Sequence, residues 1–514
     1  MKILYNFSVK SMKIICTLVC MFLAVISILN RAYIPQTGDS HVQYFRQSPL
    51  FYLSLIVFLV FAVFIKYFMD KISDKKLFTL LSIIYFAAGL FLIFSTNGAI
   101  RSDQGDAYRA ARQANKGIFV CFETGREMFT FTHNLGIMSL FRMLISIYDS
   151  TRTIYCFNLI MIIIANYFLY KTADIVFDGN KSVNKYTVLF SFLFVQQLFY
   201  TLYAYGNVPG YTGLCAMFYF CARFYKKEKI DINVVAAVAF AVFSVTMKSN
   251  YIIGIIAAVI LLSLLFMRKP SGTVFFMVAL LVVSAVIPQK VLVRHYEKMV
   301  GHKLPGDSKI SYVAMGLQEG KQGRGWYNSY NINLLKEHDY NVTLANEAAL
   351  ENIAERLEYF SENTEYTYNF FSRKIISTWC EPTFQCIKSG PSNNDNRKTK
   401  SEFLKNIYYG EGIYGIMYLY CNVITVSIFL LASVYGLYSV RKRNENLFGF
   451  FPLLFLTGGF LFHIFWEVKS RYVYMYVACL SPVAAMGLHI ILDLKKNKFR
   501  KIDNNTIRTV VENR

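Results

Sequence analysis

The sequence predicts an all-α polytopic membrane protein with about 12 transmembrane helices. Its 514 residues are 55% hydrophobic and only 17% charged, whereas ordinary soluble domains carry about 25% charged residues. The mean hydropathy is +0.36, and apolar runs long enough to cross a bilayer as helices recur along most of the chain. These observations exclude a disordered protein, a coiled coil and a disulfide-rich secreted module.

Twelve apolar runs account for this composition. The first run follows three lysines and resembles the core of a signal peptide, but no clear cleavage site follows it, so we expect a retained helix. The expected spans are residues 13–30, 49–68, 77–95, 154–172, 186–204, 211–225, 231–247, 251–267, 273–291, 412–439, 447–465 and 472–492.

The distribution of Lys and Arg predicts the orientation of the chain. With a cytoplasmic N-terminus, the loops expected inside hold several times as many basic residues as the short loops expected outside, as the positive-inside rule requires. Both termini are then cytoplasmic, with the protein in the plasma membrane. The run 134–148 is apolar but contains Arg142, and a span there would invert every later loop. We therefore expect an amphipathic helix on the outer membrane surface.

Two long segments remain outside the membrane in this topology. The first long segment is residues 96–153. The second long segment is residues 292–411, which is hydrophilic and is expected to form a small α+β or mostly helical exterior domain. The predicted organisation is an N-terminal transmembrane module (1–291), this exterior domain, C-terminal transmembrane helices (412–492) and a basic cytoplasmic tail (493–514).

The net charge and the cysteine positions indicate neither a nucleic-acid partner nor a metal site. The net charge of +22 is explained by basic cytoplasmic loops, and without any nucleic-acid-binding motif we expect no nucleic-acid partner. Most of the ten cysteines lie in apolar runs, where Cys behaves as a small hydrophobe. No metal-ligand spacing is present. Cys380 and Cys386 lie in a hydrophilic stretch, where they either form a disulfide or stay free.

Candidate chemistry begins at the start of the first long segment. Asp103 and Asp106 lie one helical turn apart and would share a helix face with Arg109, and Tyr108 lies beside them. A carboxylate at the mouth of a span is partly desolvated, which raises its pKa and suits a general base. The alternative is structural, with Ser102 or Asp103 capping a surface helix that has acids in its first turn.

A second candidate cluster lies between the last two spans and contains His463, Glu467, Lys469, Arg471 and Tyr472. Two cations in such a short outer loop are able to clamp an anionic head group, Arg through two parallel hydrogen bonds. The alternative is that both cations only extend toward water. We favour binding, because an acid and two cations close to lipid are costly unless they are used.

Three further residues are candidate substrate contacts. Lys248 lies in a very short outer loop and either binds phosphate or only solubilises that loop. Trp326 and Asn328 follow a glycine-rich turn, a pattern that suits stacking on a sugar. This turn lacks the preceding strand and following helix that a phosphate-binding glycine loop requires.

Together these features resemble the GT-C superfamily of integral-membrane glycosyltransferases, including bacterial family-39-like enzymes, protein O-mannosyltransferases and aminoarabinose transferases. Two features depart from the family pattern: two additional spans precede the acidic segment, and residues 130–134 replace a proline-rich patch. The choice between Asp103 and Asp106 as the base stays open. The stretches that carry the resemblance are Asp103 to Gly117, Tyr205-Gly206-Asn207, Lys248, Met315-Gly316 with Gly325-Trp326-Tyr327-Asn328, and Glu467-Val468-Lys469-Ser470-Arg471-Tyr472.

The resemblance implies an inverting glycosyltransferase, one that moves a sugar from a polyprenyl-phosphate carrier in the membrane to an extracytoplasmic glycan, lipid or protein. Asp103 would take the proton of the acceptor hydroxyl, and Asp106 would orient the base or the sugar. Lys248, Lys469 and Arg471 would hold the charge that develops on the phosphate. Members of the family with a monophosphate donor generally work without a metal, so the resemblance implies neither a metal nor a cofactor. A flippase or transporter of lipid-linked sugars would need no base, and a polysaccharide polymerase or ligase would share the architecture. Span centres that are nearly free of charge argue against a transporter.

Overall fold

The computed structural model describes residues 2–36, 41–100, 102–390, 399–409, 412–441 and 447–494, which form a helical protein with one small sheet. The chain begins with α1 (Lys2–Leu29), which continues directly into β1 (Asn30–Tyr33). β1 pairs antiparallel with β2 (Gln43–Arg46), so that Ala32 lies opposite Tyr44. The sequence prediction did not include this hairpin. Most of the predicted tail, 493–514, lies outside the described residues.

Helices make up most of the remaining described chain. Up to residue 300 they are α2 (Pro49–Met69), α3 (Asp74–Ser95), α4 (Asp103–Asn115), α5 (Glu127–Thr130), α6 (Leu135–Ile147), α7 (Thr151–Val176), α8 (Lys181–Leu193), α9 (Gln196–Tyr200), α10 (Asn207–Lys227), α11 (Ile232–Met247), α12 (Ile252–Arg268) and α13 (Gly272–Val300). Beyond residue 300 they are α14 (Lys309–Gly316), α15 (Tyr330–Glu337), α16 (Val342–Glu362), α17 (Thr364–Trp379), α18 (Glu402–Tyr408), α19 (Gly412–Arg441), α20 (Phe451–Phe465), α21 (Tyr474–Ala478) and α22 (Ser481–Leu494).

Many of these helices have the length and composition of membrane spans, which confirms an all-α polytopic membrane protein. Within the described ranges, seven are long and apolar enough to cross a bilayer: Lys2–Leu29, Asp74–Ser95, Thr151–Val176, Ser249–Arg268, Gly272–Val300, Gly412–Arg441 and Leu447–Phe465. Three shorter apolar helices, Pro49–Ile65, Ile232–Met247 and Ser481–Leu494, coincide with three more of the predicted spans.

Two predicted spans are not continuous helices. The span expected at 186–204 is broken between α8 and α9, where Gln196 turns its side-chain amide to donate a 2.9 Å hydrogen bond to the Pro382 carbonyl. The span expected at 472–492 is divided between α21 and α22. Hydropathy alone detects neither break, because most residues on both sides are apolar.

The apolar run 134–148 forms α6, a separate helix of 13 residues. At 1.5 Å per residue it reaches about 20 Å, which is too short for the roughly 30 Å hydrocarbon core of a bilayer. One side of α6 buries Ile137, Phe141 and Leu144, whereas the other side carries the half-buried Arg142 and the exposed Ser146. The helix is therefore amphipathic, as its sequence predicts.

The second long segment is mostly helical, the second of the two alternatives that the sequence leaves open. It contains α14 to α18. Its β-type pairing in the described chain is limited to single bridges, Glu319 with Arg324 and Trp326 with Val468. The helix α13 runs nine residues past the expected boundary at 291, and the division into domains stays a prediction.

A small apolar cluster joins three parts of the chain at one end of the bundle. Ala32 and Val42, which flank the β-hairpin turn, share this cluster with Trp326 of the second long segment and Val468 between α20 and α21. Ala32 and Tyr418 extend the junction to α19, because the Tyr418 hydroxyl donates to the Ala32 carbonyl at 2.7 Å. The loop that follows α20 is therefore held from several sides.

Candidate functional site

The loop between α20 and α21, residues 466–472, is called the site loop because it carries four of the predicted residues. After α20 ends, the chain is extended and then forms a single 3-10 turn at Ser470–Tyr472. The Glu467 amide donates to the Tyr312 carbonyl at 2.9 Å, and the Val468 amide donates to the Gly325 carbonyl at 2.9 Å. The second long segment thus fixes the backbone of the site loop.

Asp103 of the first long segment lies beside the site loop. Its carboxylate is 3.5 Å from the guanidinium of Arg471, with exposed side-chain fractions of 53% for Asp103 and 17% for Arg471. Asp103 is the first residue of α4, and the preceding Ser102 has φ +52° and makes no side-chain capping hydrogen bond. A positive φ is uncommon for a residue other than Gly and is often found at functional sites. The capping role considered for Ser102 is absent.

Lys248 joins the same cluster from the loop between α11 and α12. Its ammonium donates to Asn207 Oδ1 at 2.8 Å and lies 5.0 Å from the ring centre of Tyr472 and 5.7 Å from that of Tyr205. A Cβ atom on Gly206 would lie 1.9 Å from the Met247 carbonyl oxygen. Glycine at that position therefore lets the two short loops touch backbone to backbone.

Lys469 and Glu467 complete a cluster of three cations and two carboxylates. The Lys469 ammonium lies 5.1 Å from the ring centre of Tyr327, and the Tyr472 hydroxyl donates to Glu467 at 3.4 Å. Burial and the nearby Arg471 lower the pKa of Lys248 to about 7 and that of Lys469 to about 8. Burial also raises the pKa of Glu467, an effect that Lys469 and Arg471 partly oppose.

The cluster therefore holds an excess of positive charge that its own carboxylates do not neutralise. A lysine whose pKa is lowered by burial and by a neighbouring cation is stabilised in its charged form when an anion binds next to it. Lys248, Lys469 and Arg471 together form a site suited to a phosphate group, and the half-exposed Asp103 carboxylate lies beside it.

Tyrosine rings surround the cations, and of these tyrosines only Tyr472 was a predicted site residue. The guanidinium of Arg471 lies 5.9 Å from the ring centre of Tyr203 and 5.6 Å from that of Tyr472. Cation–π contacts of this kind fix the position of a cation while leaving its hydrogen-bond donors free. The sequence carried no signal that separates Tyr203 from ordinary interfacial tyrosines.

The side chains of Trp326 and Asn328 are bonded to other residues of the protein. Trp326 is 0% exposed, and its indole nitrogen donates to Ser377 at 3.0 Å, so no face of the ring is free for a sugar. The Asn328 amide donates to Gln318 at 2.9 Å and therefore stabilises the turn. Tyr327, between them, provides the ring that contacts Lys469.

Asp106, Arg109 and Tyr108 are held outside the cation cluster. Arg109 pairs with Asp106 and also lies 3.4 Å from Glu127, while the Tyr108 hydroxyl donates to Asp149 at 2.8 Å. Burial, and then the negative charge of Glu127, raises the pKa of Asp106.

His463, the last of the predicted contacts, is buried behind the site loop. It is 3% exposed, and its ring stacks on that of Tyr472 with centres 6.2 Å apart. It therefore contacts the cluster from inside the bundle.

The structure holds Cys380 and Cys386 as buried free thiols. Among the described residues, no group of three or more His, Cys, Asp or Glu side chains is placed to hold a metal ion. Sequence reasoning missed two buried charged residues next to the site loop, Lys374 and Glu381, because their positions in a hydrophilic stretch resemble those of ordinary surface residues.

No protein-family model and no curated protein sequence matches this chain. Among solved structures, the chain is similar to the crystal structure of the Archaeoglobus fulgidus oligosaccharyltransferase in the apo form, with 10% sequence identity and a TM-score of 0.43. The similarity covers 84% of this chain and 52% of the archaeal chain, so this chain spans about half the length of that neighbour.

Proposed function

We propose that this protein is an inverting glycosyltransferase that moves a sugar from a polyprenyl-phosphate carrier to an acceptor outside the cytoplasm. The observation that carries the proposal is the arrangement of one half-exposed carboxylate, Asp103, beside three converging cations. A phosphate site alone would suit any protein that binds lipid-linked sugars. An adjacent accessible carboxylate adds the base that a transfer reaction needs.

In the proposed reaction, the phosphate of the donor binds among Lys248, Lys469 and Arg471. The separation of 3.5 Å between Arg471 and Asp103 exceeds an ordinary charged hydrogen bond, so the donor phosphate competes readily for the guanidinium. Binding of the phosphate to Arg471 leaves the Asp103 carboxylate free as a base.

Transfer then requires two bonds to form and two to break. The acceptor oxygen attacks the anomeric carbon while Asp103 takes its proton. The bond from that carbon to the phosphate oxygen breaks, and its electron pair leaves with the polyprenyl phosphate. Attack opposite the leaving group inverts the anomeric centre. The three cations stabilise the charge that develops on the phosphate, which is the usual electrostatic contribution to such a step.

The proposal places the site on the extracytoplasmic side of the plasma membrane, with both termini in the cytoplasm and the lipid tail of the carrier among the spans. The reaction uses no cofactor, and the acceptor is a glycan, lipid or protein of the cell envelope. Asp106, which pairs with Arg109, is assigned a secondary role. It orients Asp103, the base, through the electrostatic field of this charged pair.

A transfer assay with the purified chain in detergent tests this proposal. Radiolabelled polyprenyl-phosphate hexoses and aminosugars are offered with crude cell-envelope acceptor to the wild type and to Asp103→Asn and Asp106→Asn. Glu123→Gln, an exposed carboxylate of the same long segment, is the matched control. We expect Asp103→Asn to abolish transfer without loss of donor binding, and Glu123→Gln to leave both unchanged.

Each other outcome has a defined meaning. Loss of transfer in Asp106→Asn alone moves the role of base to Asp106. Donor binding without any transfer by the wild type, together with movement of the donor across proteoliposome membranes, overturns the proposal in favour of a flippase. Transfer of preassembled oligosaccharides from a pyrophosphate carrier indicates a ligase or polymerase.

A further inference from the structure

Two buried charged residues hold the site loop, Lys374 within α17 and Glu381 just after that helix ends. Lys374 is 1% exposed, and its ammonium donates to the carbonyls of Gly316 at 2.6 Å, Ile464 at 2.8 Å and Trp466 at 3.0 Å. All three of its hydrogens are therefore used by backbone oxygens.

The partners of Lys374 show why an ammonium is required there. Gly316 is the last residue of α14, and Ile464 lies in the last turn of α20. Carbonyls in a final helical turn lack intrahelical partners and carry the negative end of the helix dipole. A Cβ on Gly316 would lie 2.1 Å from the Phe465 carbonyl oxygen, so the two helix ends meet backbone to backbone. One cation stabilises both ends at the point where the site loop begins.

Glu381 holds the other end of the site loop. It is 1% exposed, and it accepts hydrogen bonds from the Ser470 hydroxyl at 2.7 Å and from the Gln385 amide at 2.8 Å. The hydroxyl and amide of Thr383 donate to its second oxygen. Ser470 immediately precedes Arg471, so this buried carboxylate fixes the residue next to the guanidinium.

The same face of α17 also supports the middle of the site loop. Ser377, one turn after Lys374, accepts from the indole of Trp326 at 3.0 Å, and Trp326 forms the bridge with Val468. The start, middle and end of the site loop are thus attached to one short stretch, residues 374–381.

We propose that Lys374 and Glu381 are positioning residues that set the geometry of the phosphate-binding cations Lys469 and Arg471. This inference rests on the proposed function, because it assigns these residues a role in the same reaction. Both residues act through the site loop, without touching the sugar donor or the acceptor. Small misplacements of such groups are costly, since a shift of about 1 Å lowers a rate about a hundredfold.

The test compares Lys374→Met with Arg373→Met in the purified full-length chain. Arg373 is the preceding cation on the same helix, but its guanidinium lies over the ring of Tyr44. Hydrogen–deuterium exchange of the Glu467 and Val468 amides measures the site loop without reference to any reaction. We expect their exchange to accelerate about tenfold or more in Lys374→Met only, with α10 peptides unchanged.

Transfer kinetics with a polyprenyl-phosphate hexose provide the second readout. We expect Lys374→Met to lower kcat/KM about a hundredfold. The pH above which kcat/KM falls should also move upward in this variant, because Lys469 moves away from Arg471. Lys374→Arg is expected to restore part of the activity. If Lys374→Met does not fold, Ser470→Ala provides a milder variant, because it removes only the bond to Glu381. We expect it to lower kcat/KM several-fold.

The two proposals fail separately. Equal amide exchange in Lys374→Met and Arg373→Met, or unchanged kcat and KM in a folded Lys374→Met protein, overturns the positioning role while the transferase stands. A wild type that transfers no sugar, but whose site loop exchanges faster only in Lys374→Met, rejects the transferase and retains the attachment of the loop.

Discussion

Replacing Lys248 by Arg is expected to change how the reaction depends on pH. Burial and the nearby Arg471 lower the pKa of Lys248 to about 7, and similar causes lower that of Lys469 to about 8. Only the protonated lysines hold the donor phosphate. The ratio kcat/KM reports ionisations of the free enzyme, so it should fall above pH 7 as Lys248 loses its proton.

The size of the effect follows from these two values. At pH 9, two units above its pKa, Lys248 is about 1% protonated, and Lys469 is about 10% protonated. The slope of log kcat/KM against pH should therefore steepen above pH 8. In Lys248→Arg the guanidinium stays charged throughout, so the slope above pH 8 should become shallower by about one.

The assay is transfer of a radiolabelled sugar at limiting donor concentration, from about pH 6 to about pH 10, for wild type, Lys248→Arg and Lys469→Arg. Lys469→Arg should retain the fall that begins near pH 7 and remove the one near pH 8. Equal slopes in the wild type and both variants would refute the placement of these lysines in the phosphate site.

The free energy of unfolding should change with pH in the direction opposite to that of kcat/KM. Because the pKa of Lys248 in the folded protein lies below the ordinary value of 10.5, the unfolded chain binds more protons between about pH 7 and 10.5. The free energy of unfolding should rise with pH in this window, by up to about 1.4 kcal/mol per unit for one lysine. Thermal unfolding of Lys248→Met should lack that contribution, and an identical pH dependence in both proteins would contradict it.

Three substitutions test other features of the site. Arg471→Lys should raise the KM for the donor about tenfold or more, because Lys lacks the planar fork that binds phosphate through two hydrogen bonds; an unchanged KM would contradict this. Gly206→Ala should lower the free energy of unfolding by about 1–3 kcal/mol, because the added Cβ would overlap the Met247 carbonyl. The same substitution should lower kcat/KM. A variant that changes neither quantity would show that the two loops do not touch. Trp326→Phe should cost about 1–2 kcal/mol of unfolding free energy through loss of the bond to Ser377; an unchanged free energy of unfolding would contradict this.

Much of the helical framework was predictable because apolar length is a strong signal. Spans such as 412–439 coincide with the long apolar helix α19. The interpretation of 134–148 as a separate helix followed from Arg142 and the charge distribution of later loops, and α6 has the expected short length. The breaks at 194–195 and at 479–480 were not predictable from hydropathy, because most residues around them are apolar. At the first break, Gln196 donates a hydrogen bond to the distant Pro382 carbonyl, a contact that only the tertiary structure shows.

The candidate site was predictable only in part. Asp103, Lys248, Glu467, Lys469 and Arg471 stood out because charged residues beside apolar spans are costly, and the structure brings all of them together. Tyr203 carries no such cost at an interface and was not selected. Tyr205 and Tyr327 entered only through stretches that resemble the GT-C superfamily. Trp326 was selected for its ring, which the structure buries against Ser377.

By itself, the sequence determined that the chain crosses a membrane repeatedly and which polar residues lie at the ends of its helices, since both depend on the local cost of transferring residues into lipid. Only the tertiary structure decided which of these ends meet. The pairing of Asp103 with Arg471, and the use of Lys374 and Glu381 to hold the site loop, depend on contacts between residues far apart in the chain. Such contacts are set by the packing of whole helices, for which a single sequence carries no local signal.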